Sequence, residues 1–158
     1  MTLPLPPEQG ALAAEYDAAR ARNGNVLAIL RALGPRAEVP RAFVALADAV
    51  LYGPANLGRR EREVLAVATS QANGAAYSSD AHAELLDALG GERPADAPLR
   101  AFARRLTLEP SGAATAVAEL QAHFSDDEVY DAITVVALLN FANRAALATE
   151  ITRADDLA

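Results

Sequence analysis

Four side chains between residues 63 and 82 are of types that do chemistry: Glu63, Tyr77, Ser78 and His82. Ser78 and His82 stand four residues apart, so on a helix they share one face. Asn73-Gly74 marks a turn between Glu63 and that pair. A reversal there could carry Glu63 back towards His82. A carboxylate beside an imidazole is a proton relay. With the Ser78 hydroxyl added, the residue types are those of a Ser-His-Glu hydrolase, although no G-x-S-x-G elbow surrounds the serine. Each residue also has a plain structural reading. Glu63 could pair with Arg59 one turn earlier, Ser78 could cap a helix, Tyr77 could pack with its hydroxyl satisfied, and His82 could be an ordinary half-buried histidine.

The elements that must position these residues read as helices nearly throughout, with no strand-like alternation. After an extended arm, "MTLPLPP", the apolar spacing predicts a helix from Pro7 to about Arg22, closed by Asn23-Gly24. A second covers "NVLAILRAL" and stops at Gly34-Pro35; a third follows Pro40 and stops at Gly53-Pro54. The fourth runs over about 59–72 and carries "RRERE" at its start, a run that could be a solvated charged face. Gly74, free to take the left-handed conformation, closes it. Ser78, Ser79 and Asp80 are candidate caps for a fifth helix ending near Gly90-Gly91. Helices over "ADAPLRAFARRLTL" and "GAATAVAELQAHF" follow. "SDDE" at 125–128 is a capping box that opens a long final helix. On that helix Asn140 and Arg144 share a face, and a buried Arg144 would need an acidic partner in the core or across a subunit boundary. The expectation is an all-α bundle of about eight helices in a single domain, 1–158, with residues 1–20 as N-terminal arm and helix.

Composition narrows the function. A net charge of −7 argues against nucleic acid and against an anionic membrane surface. No apolar run approaches the roughly 20 residues of a membrane span, and no leader pattern is seen at the N-terminus, so the expected location is the cytoplasm. The chain has no cysteine and two histidines, His82 and His123, so neither a metal site nor a cofactor is expected. Apolar and alanine-rich helix faces such as "RAALATEI" point to a homo-oligomer, dimer or higher.

The order of Glu63, the Asn73-Gly74 turn, Tyr77 and His82 resembles the alkylhydroperoxidase D-like (AhpD-like) peroxidase-related family of the carboxymuconolactone decarboxylase superfamily. The resemblance spans about residues 20–152 and includes "NFANR" at 140–144. It implies the family's helical fold, an oligomer, and an antioxidant peroxidase site of a Cys-x-x-Cys pair with glutamate and histidine. In this chain Ala75 and Ser78 occupy the two cysteine positions, while Glu63, Tyr77 and His82 match the rest. A thiolate is the nucleophile towards peroxides, and a second thiol resolves the sulfenic acid. An alanine and a serine can do neither. The expectation is a divergent member without thiol peroxidase activity that keeps a Glu63/His82 pocket for a small-molecule ligand or acid–base chemistry. A non-catalytic scaffold or regulator, and less favourably the hydrolase, stand as alternatives.

Overall fold

The computed structural model describes residues 3–7 and 9–156, with the side chains of residues 22 and 23 excepted. Among these, every regular element is helical. The α-helices are α1 (Ala13–Asn23), α2 (Ala28–Ala32), α3 (Glu38–Ala47), α4 (Arg59–Asn73), α5 (Ala76–Ala88), α6 (Ala97–Leu108), α7 (Ala113–Gln121) and α8 (Asp126–Thr149). Glycines end helices where expected: Gly24 and Gly74 are left-handed, at φ 79° and 69°. The capping box at α8 is formed, with the Ser125 N–H donating to Glu128 Oε2 over 2.8 Å.

Three boundaries differ from the sequence reading. The expected arm starts at residues 1 and 2, outside the described residues, and residues 3–7 belong to no regular element. The first helix begins at Ala13 rather than Pro7, after a turn at Gly10 that has φ 117°. α3 begins at Glu38, so Pro40 sits inside the first turn, where its missing N–H costs nothing. Its end widens into a π-helical turn, Asp48–Tyr52, with the Gly53 N–H donating to the Asp48 carbonyl five residues back.

α4 is the central element and packs against α5, α6 and α8. Its apolar residues Val64, Leu65 and Ala66 join Leu99 and Phe102 of α6 and Val135, Val136 and Leu139 of α8 in the main core. Burial of one such leucine is worth roughly 1.5–3 kcal/mol. α8, at 24 residues, is long and apolar enough by length and composition to cross a membrane, which the sequence reading did not expect. From the sequence the run "ITVVALLNF" reads as too short, stopping at polar residues. Nine residues of α8 are buried in this protein, which is what a core helix of that composition does.

The charged run at the start of α4 is not a solvated face. Arg62 and Glu63 are buried. Arg62 donates to the carbonyls of Val50 and Gly53 at 3.1 and 3.0 Å, tying the π turn to α4. Arg60 grips the buried Asp96 through two parallel bonds of 2.8 and 2.6 Å, fixing the loop before α6. That guanidinium holds the Asp96 carboxyl below the usual carboxylate range.

Candidate functional site

Glu63 lies on the inner face of α4, and its side chain is 0% exposed. A carboxylate at that depth requires charged or hydrogen-bonding partners. It has one on each oxygen. Arg59, one turn earlier on α4, donates to Oε1. His82 of α5 meets Oε2 through Nδ1 at 2.6 Å. The two readings of Glu63, partner of Arg59 or partner of His82, therefore hold together. The Arg59 guanidinium also lies over the Tyr52 ring at 4.5 Å, which steadies it from the π turn.

The hairpin that brings His82 to Glu63 is built locally. Gly74 ends α4 in the left-handed region, and Ala75 at φ −90°, ψ 82° starts α5 immediately afterwards. The Ala75 N–H donates to the Ser70 carbonyl at 2.9 Å, closing the turn. Ser78, Ser79 and Asp80 are therefore not caps: α5 begins at Ala76, and its cap position, Ala75, has no capping side chain. The reason is the closing bond at Ala75, which starts the helix as soon as the chain has turned.

A cavity of about 560 Å³ opens on this hairpin. Its walls come from Ile29 and Leu30 of α2, Phe43 and Val44 of α3, Leu138, Leu139 and Ala142 of α8, and Tyr77, Ser78 and His82 of α5. Of the five residues singled out from sequence, three line it. Glu63 sits behind His82, and Ala75 is buried at the helix start. Ser78 Oγ makes no hydrogen bond to another described residue, His82 included. The hydrolase reading thus lacks its first contact. Among the described residues no cluster of three or more His, Asp or Glu side chains could hold a metal ion.

Tyr77 packs its ring against the cavity and donates its hydroxyl to Asp156 Oδ1 at 2.8 Å. Burial, then the Asp156 hydrogen bond, pushes the phenol far above the ordinary tyrosine range. Asp156 Oδ1 also accepts the Ala28 N–H at 2.7 Å, and Arg153 reaches both Asp156 Oδ2 and Glu84. The C-terminal segment therefore forms one side of the cavity. Sequence reasoning missed Asp156 and Arg153 because the Tyr77–Asp156 contact spans 79 residues. A core position for Arg144 is the other correction. Arg144 is exposed and donates to the Asn140 carbonyl and Oδ1 at 2.8 and 2.7 Å. Asn140 in turn accepts from Asn73 and donates to Thr107, a structural knot joining α4, α6 and α8.

Residues 37–94, which hold the whole Glu63-to-His82 arrangement, match the carboxymuconolactone decarboxylase family. A likeness in fold extends beyond the matched segment, because solved structures superpose over nearly all of the chain. A peroxidase-related protein from Silicibacter sp. TM1040 does so with a TM-score of 0.81 and 22% identity, over 96% of this chain and 90% of that one. An alkylhydroperoxidase AhpD-core, peroxidase-related protein from Ralstonia eutropha JMP134 gives 0.74 and 22%, over 92% and 88%. The debrominase Bmp8, as a cysteine-to-alanine variant in complex with 2,3,4-tribromopyrrole, gives 0.77 and 17%, over 98% and 94%. At these identities the likeness establishes the AhpD-like fold. No curated protein matches the chain by sequence.

Proposed function

We propose that this carboxymuconolactone decarboxylase-like protein binds a small molecule in the cavity beside α5 and handles its proton through His82 and Glu63, without thiol chemistry. One observation carries the reading: a fully buried carboxylate bonded at 2.6 Å to a histidine that lines a cavity of about 560 Å³. The Nδ1 contact leaves Nε2 as the ring nitrogen open to a ligand. The zero cysteine count removes the nucleophile that a peroxide-reducing site needs. Bmp8, similar in fold, accommodates a small halogenated ring, which supports a compact, largely apolar ligand here. The protein is further taken to be a cytoplasmic homo-oligomer. The exposed Tyr130, Phe141 and Leu147 of α8 support the second copy.

The test is a ligand screen by thermal shift on the intact chain and on His82→Ala. Compounds that raise the midpoint of the intact chain and not of His82→Ala support the reading. A screen in which no compound discriminates the two proteins would move the non-catalytic scaffold ahead.

A further inference from the structure

We propose that the cavity takes a small aromatic molecule bearing one hydroxyl group, with that hydroxyl held between Ser78 and His82. The proposal rests on the small-molecule reading above and names the ligand class. Ser78 is only 5% exposed, yet it lines the cavity and its Oγ bonds to no other described residue. That oxygen is not sealed among the unpartnered buried atoms but is accessible at the cavity wall, where a bound molecule can hydrogen-bond to it. His82 follows one turn later on the same face of α5.

The hydrogen-bond roles select the ligand group. With Nδ1–H given to Glu63, the neutral imidazole presents Nε2 as an acceptor. Ser78 then offers its O–H as donor. A ligand that satisfies both must donate to Nε2 and accept from Ser78 through one atom, which a hydroxyl does. An ether accepts but cannot donate. A carboxylate cannot donate either, and it would enter a wall that already holds Asp48 and Glu84. The basic side chain on that wall, Arg153, is engaged by Glu84 and Asp156. Most of the remaining lining is apolar, and the rings of Phe43, Tyr52 and Tyr77 contribute flat surfaces suited to an aromatic body.

Three matched probes test this on the intact protein: 2-naphthol, 2-methoxynaphthalene and 2-naphthoate. The chain has no tryptophan, so naphthyl fluorescence is read against a low background. We expect saturable binding of 2-naphthol about tenfold tighter than that of its methyl ether, the effect of one buried hydrogen bond made or lost. In Ser78→Ala the affinity falls several-fold for 2-naphthol and for the ether, since both accept from that hydroxyl, and the preference for 2-naphthol, set by donation to His82 Nε2, remains. Equal affinity for 2-naphthol and the ether, or tightest binding of 2-naphthoate, overturns the ligand class and leaves the cavity reading in place. Failure of all three to bind overturns both. The comparison of probes on the unaltered chain decides the matter even if Ser78→Ala folds poorly.

Discussion

Replacing Glu63 with glutamine keeps the side-chain volume and removes the charge from the centre of the site. Breaking a buried ion pair by deleting one partner costs about 3–5 kcal/mol when the remaining charge stays dry. Here the stranded partners are not fully dry: Arg59 is 25% exposed and His82 14%. Arg59 also keeps its stacking on Tyr52. Glutamine retains one acceptor oxygen, which can serve Arg59, while its amide N–H group turns to His82. The expected loss is therefore about 2–3 kcal/mol, below the ceiling for a dry pair. For a chain of this length that lowers the midpoint by roughly 5–10 °C. The histidine should respond as well. Facing a donor instead of an acceptor, Nδ1 gives up its hydrogen and Nε2–H becomes the form presented to the cavity. Urea unfolding followed by far-UV circular dichroism measures the first effect, and nitrogen-15 NMR of the imidazole the second. The exposed His123 serves as internal reference. A stability change under about 0.5 kcal/mol with the His82 tautomer unaltered would refute the claim that this carboxylate orders the site.

Asp96→Asn, which removes the charge gripped by Arg60, should destabilise the protein by about 3 kcal/mol at neutral pH. Because Arg60 holds the Asp96 carboxyl below its unfolded range, this contribution is full above the ordinary aspartate pKa and is lost as pH falls through the folded value. Thermal midpoints of parent and variant should accordingly converge in acid. Tyr77→Phe should cost about 1–2 kcal/mol through loss of the Asp156 bond, read by chemical denaturation. The Tyr77 phenol is displaced upward, so its share of stability is full below the ordinary tyrosine pKa and lost as alkaline pH rises through the folded value. Hydrogen peroxide and organic hydroperoxides with a dithiol reductant should turn over no faster than in buffer. Ala75→Cys with Ser78→Cys should then gain measurable peroxide reduction, since the second cysteine would line the cavity beside His82. Phe141→Glu on the exposed face of α8 should shift sedimentation towards the monomer if that face meets a second copy.

Much of this fold was legible because its signals are local. Gly74 ends α4 and Ser125 opens α8 through interactions within a few residues, so type and spacing sufficed. The Glu63–His82 pairing was legible only through the order of residues around the turn. Its geometry depends on α5 starting at Ala76, one bond after the reversal. Ser78 was misread as a cap because serine near a turn is a good cap in isolation, whereas the Ala75–Ser70 bond had already begun the helix. Arg144 was misread because an apolar helix suggests burial all round, and the exposed edge of α8 cannot be located from periodicity that weak. The Tyr77–Asp156 bond and the Arg60–Asp96 clamp join residues 79 and 36 positions apart, and no local pattern encodes such contacts.

If the cavity reading holds, loss of the sulfur changes which molecule must bring the reactive atom. Two hydroxyls of the protein reach this cavity from α5. That of Tyr77 is committed to Asp156, on the side of the C-terminal segment, and its displaced proton affinity keeps it neutral. That of Ser78 is open but forms no bond to His82, so the histidine does not activate it. The ring nitrogen left over at His82 therefore finds its proton partner on a bound molecule rather than on the chain. A relay so arranged can bind, orient and deprotonate a ligand that carries its own acidic hydrogen. Glu63 is placed to stabilise the imidazolium that results, and Arg59 holds the other carboxylate oxygen in position while it does so.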